Sequence, residues 1–218
     1  MVEQNLTVNF KARYYRLGHI DANTRHVWFV IHGYGQLARF FLKKFNVLHQ
    51  PDVCIIAPEG LSRFYLEDIT TRNQTGNQKV GATWMTRENR LMDIENYITY
   101  LNGVYQAEIT PAFSGQVHLL GFSQGAATVV RWALHEQIRF DRLILWAGIF
   151  PPDMDFDKAT EIFKKKQVIE VYGQADPFLQ DDRIREMTQT NQRLGITPTL
   201  VSFDGGHEIK PDVLQKLA

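Results

Sequence analysis

The sequence is poor in cysteine, in excess charge and in long apolar runs. Cys54 is the single cysteine among 218 residues, so no disulfide can form within the chain, which favours a reducing compartment. Lysine plus arginine and aspartate plus glutamate both number 24, and this balance argues against a nucleic-acid partner bound through excess positive charge. No apolar run approaches the roughly 20 residues of a membrane-spanning helix, and the start, MVEQNLTVNF, lacks the basic and apolar parts of a signal peptide. We therefore expect a cytoplasmic protein without stable membrane insertion.

Hydrophobic residues form short runs that alternate with helix-length amphipathic stretches. The runs predict strands at 26–33, 52–60, 116–123, 141–148, 167–174 and 197–206. The stretches between them predict helices at 37–48, 87–101, 124–137, 181–194 and 210–217. Most runs are continuous rather than alternating, as in strands buried on both faces of a parallel sheet. The pattern predicts an α/β fold with a mostly parallel, doubly wound sheet flanked by helices on both faces.

The hydrophobic fraction of 44% is enough for one sizeable core, and we expect residues 1–218 to form a single domain. The more strictly alternating residues 6–18 predict an antiparallel edge strand or a hairpin. Residues 61–86 show no periodicity and are interpreted as a long loop, which in compact domains is usually a lid or a binding loop. A surface insertion is the alternative. Large apolar side chains are costly to expose to water, so their presence in this segment favours a binding role. We therefore assign Trp84 and Met85 to substrate contact.

The stretch GFSQG at 121–125 places one serine between a predicted strand and a predicted helix. Ligands in open α/β sheets bind beyond the carboxyl ends of the strands, where Ser123 is expected to lie. A sharp turn there would crowd side chains two residues before and after the serine, and Gly121 and Gly125 remove them. This arrangement exposes a nucleophilic hydroxyl at a helix N-terminus. The alternative is that Ser123 is an ordinary helix N-cap.

A serine nucleophile needs a base, and in this architecture the base follows both the serine and the acid along the chain. Only His135 and His207 follow Ser123. His135 lies about three turns along the predicted helix that leaves the serine, so its side chain is directed elsewhere. His207 follows the last predicted strand, and we predict that it is the base.

The acid that orients the histidine is predicted to be Asp176. It follows the strand at 167–174, and Pro177 stiffens the turn that holds its carboxylate. The rival acids are Asp181 and Asp182, which suit the first turn of a helix, and Asp204, which would need a tight fold-back.

An oxyanion hole requires two backbone N–H donors. The first is predicted to be Gln124, directly after the serine, and the second Tyr34 in the glycine-rich turn HGYGQ at 32–36, with Gly33 as the alternative. His32 precedes the serine and is interpreted as structural. No cluster of His, Cys and Asp has the spacing of metal ligands, so neither a metal nor an organic cofactor is implied.

The segments HGYG, GFSQGA, GQADP and GGHEI resemble, in order and spacing, the phospholipase/carboxylesterase branch of the α/β-hydrolase superfamily, which includes acyl-protein thioesterase-like enzymes. The resemblance runs from about residue 26 to the C-terminus. It implies an α/β-hydrolase fold, a catalytic triad of Ser123, Asp176 and His207, and oxyanion donors at Tyr34 and Gln124. The sequence departs from the family in its polar insertion at 61–83 and in Gln36, where the family often has an acidic residue.

A further likeness concerns WAGIFPP at 146–152, which resembles the strand-end loop that helps to line the acyl pocket of such enzymes. It nominates Ile149 and Phe150 for substrate binding, and simple capping of the sheet is the alternative. Together these features predict a serine hydrolase that cleaves small-molecule carboxylic esters or thioesters through an acyl-Ser123 intermediate. A peptidase on the same scaffold and a non-catalytic ligand-binding protein are the alternatives.

Overall fold

The computed structural model describes residues 1–135 and 138–217, which form a layered arrangement of strands and helices. The strands are β1 (Tyr14–Leu17), β2 (His26–Ile31), β3 (Val53–Pro58), β4 (Ser62–Tyr65), β5 (Val80–Thr83), β6 (Gln116–Phe122), β7 (Arg142–Trp146), β8 (Gln167–Gly173) and β9 (Thr199–Phe203). The helices are α1 (Ala38–Leu42), which continues as a 3-10 helix (Lys43–Leu48), α2 (Ile69–Thr75), α3 (Arg90–Glu108), α4 (Gln124–Ala133), α5 (Phe156–Phe163), α6 (Asp181–Leu194) and α7 (Pro211–Gln215).

Seven strands form the central sheet in the order β1-β3-β2-β6-β7-β8-β9. Strand β1 pairs antiparallel with β3 at one edge, and the remaining pairs are parallel. The predicted fold class and the six predicted strands are thus confirmed, and the N-terminal region supplies the edge strand. The chain moves from β2 to β3 on one side and later to β6 on the other, which is the kind of reversal where ligands bind in such sheets.

Both faces of the sheet are covered, which explains the continuous apolar strand sequences. In β2, Val27 and Phe29 pack into a core layer shared with α3, α4 and α5. Their neighbours Trp28 and Val30 pack into the opposite layer with α1, the 3-10 helix and α7. Burial of large side chains on both sides supplies the main driving force for the sheet, at about 25 cal/mol per Å² of apolar surface removed from water.

The interpretation of residues 61–86 as a loop is wrong. Strands β4 and β5 pair antiparallel, and α2 connects them. The carboxylate of Asp68 caps α2 by accepting from the N–H groups of Thr70 and Thr71, and Gly76 ends the helix in the left-handed conformation. None of the residues of α2 is buried, so the hydrophobic periodicity that marks most helices is missing.

Other differences concern helix boundaries. Helix α3 starts at Arg90 and runs on to Glu108, beyond the predicted end at residue 101. The predicted helix 37–48 divides into α1 and the 3-10 helix, and α5 was not predicted. Helix α4 ends at Ala133, and residues 136 and 137 of the predicted helix 124–137 lie outside the described residues. In the described part of the chain, no helix is both long enough and apolar enough to cross a membrane.

Candidate active site

Ser123 occupies a strained turn between β6 and α4. Its backbone has φ 55° and ψ −118°, a combination that is unfavourable for a residue with a side chain. A Cβ atom at Gly121 would lie 2.2 Å from the carbonyl oxygen of Gly125, and one at Gly125 would lie 2.2 Å from that of Ile31. Both glycines are therefore required sterically for the chain to turn this sharply. The serine hydroxyl does not cap α4, so the N-cap alternative does not describe its side chain.

The hydroxyl of Ser123 instead meets the imidazole of His207. The distance between Ser123 Oγ and His207 Nε2 is 2.9 Å, within hydrogen-bond range. The imidazole lies in contact with two aromatic rings, those of Phe122 and Phe178, whose centroids are 4.9 Å and 4.8 Å from its own. These rings restrict the orientation of the imidazole while its side chain keeps 21% of its surface exposed.

Asp176 holds the opposite side of the imidazole. Its Oδ2 lies 2.7 Å from His207 Nδ1, and its Oδ1 accepts a hydrogen bond of 2.9 Å from the backbone N–H of Phe178. The carboxylate of Asp176 is fully buried. Ser123 and the imidazole of His207, in contrast, are only partly buried. The structure thus brings the three predicted side chains into one hydrogen-bonded series.

The rival residues lie elsewhere. Asp181 and Asp182 are in the exposed first turn of α6, where Asp182 pairs with Arg185. Asp204 is exposed, and its backbone carbonyl accepts a hydrogen bond from Lys210. His135 follows the end of α4, about three turns from the serine.

The turn after β2 lies next to Ser123 because Ile31 and Gly121 are directly paired in neighbouring strands. The N–H of Gly33 donates to the side-chain oxygen of Gln36 at 2.9 Å, so it is already engaged. Within residues 1–135 and 138–217, the backbone N–H groups of Tyr34 and Gln124 have no hydrogen-bond acceptor. These two unengaged donors are the ones that the sequence analysis assigns to an oxyanion hole.

His32 stabilises this turn from inside the protein. Its Nδ1–H donates to the carbonyl oxygen of Gly33 at 2.8 Å, and its Nε2 accepts from the N–H of Gly60 at 2.9 Å. Burial lowers the pKa of His32 to about 4, so the ring is neutral at physiological pH. The indole N–H of Trp84 donates to the backbone oxygen of His32 at 2.9 Å. Trp84 is only 2% exposed, so its side chain packs beneath the site.

An open groove of about 230 Å³ begins at Gln124, the residue after the serine, and follows α4, and Ser123 itself is not among its lining residues. Of the side chains predicted to bind substrate, Met85, Ile149 and Phe150 line it, and Trp84 does not. The groove also contains Gln124 at the serine end. Sequence reasoning missed the two charged lining residues, Arg131 and Arg183. The signal for Arg131 was its position seven residues after Gln124, which places both on one face of α4.

Metal binding has no obvious ligand set here. In the portion of the chain that the structure describes, no group of three or more His, Cys, Asp and Glu side chains is arranged to hold a metal ion. The groups at the edge of the sheet are therefore a hydroxyl, an imidazole, a carboxylate and two backbone donors. The three side-chain groups can transfer a proton, and the two backbone donors can stabilise a negative charge.

Comparisons with known proteins agree with the fold. The structure resembles those of maize (Zea mays) acyl-protein thioesterase 2 (TM-score 0.68, 15% identity, covering 95% of this chain and 96% of that one) and esterase PE8 (TM-score 0.66, 21% identity, covering 95% and 96%). It also resembles a phospholipase/carboxylesterase from Dyadobacter fermentans (TM-score 0.64, 18% identity, covering 98% and 97%). No curated protein sequence matches the chain.

The central sheet, its helices and these neighbours define an α/β-hydrolase fold. The phospholipase/carboxylesterase family model matches residues 20–218. The chain therefore belongs to the phospholipase/carboxylesterase family and is a hydrolase of ester-type bonds. The predicted family and the predicted class of reaction are confirmed at this level.

Proposed function

We propose that the protein is a serine hydrolase that cleaves carboxylic esters or thioesters through an acyl-enzyme intermediate on Ser123. The observation that carries the proposal is the pair of hydrogen-bond distances around His207, 2.9 Å to Ser123 Oγ and 2.7 Å to Asp176 Oδ2. A histidine held between a hydroxyl and a buried carboxylate is placed to activate that hydroxyl.

In the first half of the reaction, His207 Nε2 takes the proton of Ser123 as Oγ attacks the carbonyl carbon. The negative charge that develops on the carbonyl oxygen is stabilised by the N–H groups of Tyr34 and Gln124. Asp176 holds Nδ1–H and stabilises the imidazolium that forms. Collapse of the tetrahedral intermediate breaks the bond to the leaving group, which receives the proton from Nε2.

In the second half, water replaces the leaving group. His207 takes a proton from water, the resulting hydroxide attacks the acyl carbon, and Ser123 Oγ leaves with the proton that Nε2 returns. The product is a carboxylic acid, and the free serine is restored. No metal ion or organic cofactor has a role in these steps.

The substrate is proposed to be a small ester or thioester. The open groove along α4 is mostly apolar and can receive an acyl chain. Met85, Ile149 and Phe150 supply its apolar surface. Met85 belongs to the insertion at 61–86, and we propose that this insertion contributes to substrate binding within a single domain of residues 1–218. The thioester alternative draws on the maize neighbour, whose name describes a thioesterase.

The test is hydrolysis of p-nitrophenyl butyrate together with labelling by a fluorophosphonate, which reacts with activated serines. We expect the wild-type protein to do both and Ser123→Ala to do neither while keeping the wild-type circular dichroism spectrum. Labelling that persists in Ser123→Ala would remove the nucleophile assignment.

A panel of amide substrates, together with the ester and the fluorophosphonate, separates the alternatives. A peptidase would cleave aminoacyl amides faster than matched esters, so a panel of both substrates tests that function. A non-catalytic ligand-binding protein would leave both the ester and the fluorophosphonate unreacted. The cytoplasmic location stays a prediction from cysteine usage, with Cys54 buried and free.

A further inference from the structure

The groove beside Ser123 has an uneven distribution of charge. Ten residues line it, of which Arg131 and Arg183 are cationic and none is acidic. The remaining surface is mostly apolar, with Gln124 and Thr128 as its uncharged polar side chains. A pocket for a plain hydrocarbon chain has no need of two guanidinium groups, since desolvating a charge opposes binding of an apolar group.

Arg131 is held in the wall of the groove. It lies seven residues after Gln124 on α4, which corresponds to about 10 Å along the helix axis. Its side chain is only 12% exposed and donates from Nη2 to Asp153 Oδ1 at 2.7 Å. Its Nη1 lies 3.8 Å from the sulfur of Met85, a weak acceptor, and Arg131 also interacts with the side chain of Tyr97.

The carboxylate that pairs with Arg131 is shared. Asp153 Oδ2 also accepts from Arg90 of α3, so one negative charge faces two positive charges. The cluster of Arg90, Asp153 and Arg131 therefore carries a net charge of about +1, because arginine stays protonated at every physiological pH. The low exposure of Arg131 reduces the screening of this charge by water.

Arg183 is the second cation of the groove lining and comes from α6. It lies in the first turn of α6, its side chain is 54% exposed, and Nη1 pairs with Glu186 Oε2 at 2.5 Å. This surface pair is solvated and weak, so the guanidinium can turn towards a second anion in the groove. Two arginines that line one groove suit an oxyanion, which accepts hydrogen bonds from several N–H groups at once.

We propose that the groove binds a negatively charged group, a carboxylate or a phosphate, at the far end of the substrate's acyl chain. The preferred substrates are then short esters or thioesters of acids that carry a second, anionic group. This inference rests on the proposed acyl transfer to Ser123 and adds to it a class of acyl group. The apolar residues contact the middle of the chain, and Arg131 and Arg183 contact its end.

The test compares three methyl esters of equal chain length, followed by acid release in a pH-stat. These are methyl hexanoate, monomethyl adipate and the methyl ester of 6-phosphonooxyhexanoate. A charge-assisted hydrogen bond that is kept in the transition state should raise kcat/KM by about tenfold or more. We therefore expect at least one anionic ester to exceed methyl hexanoate by that factor, and the two anionic esters distinguish a carboxylate from a phosphate site. The preference should shrink at 1 M salt, where the Debye length is about 3 Å.

The matched variants are Arg183→Glu and Arg185→Glu. Both arginines are exposed on α6 and each pairs with an acid three residues away, but only Arg183 lines the groove. We expect Arg183→Glu to lower the ratio of kcat/KM for the preferred anionic ester to kcat/KM for methyl hexanoate about tenfold or more. Arg185→Glu should leave both esters within twofold of wild type.

Two results would overturn the inference. One is a wild-type protein that hydrolyses methyl hexanoate as fast as both anionic esters, and the other is an Arg183→Glu variant that behaves like Arg185→Glu. Failure of the acyl-transfer proposal looks different, because none of the three esters is then hydrolysed and the fluorophosphonate does not label Ser123.

Discussion

The side-chain amide of Gln124 is hydrogen-bonded to the backbone of Met85, with Nε2 donating to the carbonyl oxygen at 2.9 Å. The other end of the amide, Oε1, accepts from the backbone N–H of Trp84 at 3.2 Å and from the hydroxyl of Thr83 at 3.1 Å. The residue that follows the serine thus ties the end of β5 to the start of α4. The backbone of Ala82 in the same strand is hydrogen-bonded to the backbones of Gly35 and Gln36. Strand β5 therefore contacts the turns of both proposed oxyanion donors.

Substitution of this amide tests whether β5 positions the oxyanion hole. Gln124→Leu keeps the backbone N–H and removes the three side-chain hydrogen bonds. We expect the free energy of unfolding to fall by about 1–3 kcal/mol, because the N–H of Trp84 loses its partner. We expect kcat for p-nitrophenyl butyrate to fall by about tenfold to a hundredfold, because a small displacement of the donors is sufficient for such a loss.

The matched control is Gln189→Leu, on the exposed surface of α6. It should leave both kcat and stability close to wild type. A Gln124→Leu protein that loses stability but keeps its kcat would show that the amide supports folding alone.

The two glycines of the serine turn give a steric prediction. A methyl group at residue 125 would lie 2.2 Å from the oxygen of Ile31 and 2.7 Å from that of His32, so the backbone of β2 or α4 must move. We expect Gly125→Ala to reduce the free energy of unfolding by about 3 kcal/mol and to abolish fluorophosphonate labelling. Urea unfolding and labelling of the purified protein measure these two effects.

Gly103 provides the matched control for this substitution. It lies in α3, and a methyl group there meets no atom within 4 Å. Gly103→Ala should therefore increase stability by about 0.5–1 kcal/mol, the usual gain in a helix interior. Equal stability of the two alanine variants would contradict the crowding that defines this turn.

The choice of acid between Asp176 and its rival Asp204 is open to a direct test. Asp176→Asn keeps the shape of the side chain but favours the wrong tautomer of His207, since an amide can donate to Nδ1. We expect kcat to fall by about 10⁴, while Asp204→Asn stays within twofold of wild type. A large loss in Asp204→Asn, with activity retained in Asp176→Asn, would reverse the assignment.

The sheet and the positions around the serine could be predicted because local rules specify them. Continuous apolar runs indicated the parallel strands, and Gly121, Ser123 and Gly125 indicated a turn whose sterics fix its geometry. Proximity to Ser123 followed for His207 and Asp176 because parallel strands end at one edge of the sheet. These arguments need only the order of elements along the chain.

The secondary structure within the insertion and the two cations of the groove could not be predicted in this way. Helix α2 buries none of its residues, so it carries no apolar stripe, and β4 has one partly buried residue in four. The indole of Trp84 was expected in the substrate site, but a hydrogen bond to the backbone of His32 holds it in the core. Arg131 and Arg183 line the same groove although they come from α4 and α6, and no local sequence pattern specifies how these two helices lie in the fold.

A last prediction concerns Glu170, which is fully buried in the middle of β8 and far along the strand from the triad. Burial raises the pKa of Glu170 to about 7, although Asn191 donates a hydrogen bond to its Oε2 at 3.0 Å. Among the residues that the structure describes, neither its Oε1 nor the amide oxygen of Asn191 has a hydrogen-bond partner, and both atoms are buried. The neutral acid suits this environment, because a carboxyl O–H can donate where a carboxylate can only accept.

The pKa of Glu170 is higher in the folded protein than in the unfolded chain, so the folded state binds the proton more tightly. The resulting stability is fully present below about pH 4.5 and is lost as the pH rises through about 7. The free energy of unfolding falls by about 3 kcal/mol over this pH range, because each unit by which the pKa is raised corresponds to 1.36 kcal/mol. Glu170→Gln is neutral at every pH, so we expect it to be more stable than wild type at pH 8 by about this amount, and equally stable near pH 4.5.

Urea unfolding of both proteins at pH 4.5, 6 and 8 measures this difference. Glu161→Gln on the exposed surface of α5 is the matched control, and its stability relative to wild type should be nearly independent of pH because its carboxylate is solvated in both states. A difference between Glu170→Gln and wild type that stays constant from pH 4.5 to 8 would show that Glu170 does not take up a proton on folding. In that case the carboxylate is stabilised by hydrogen bonds that outweigh its burial.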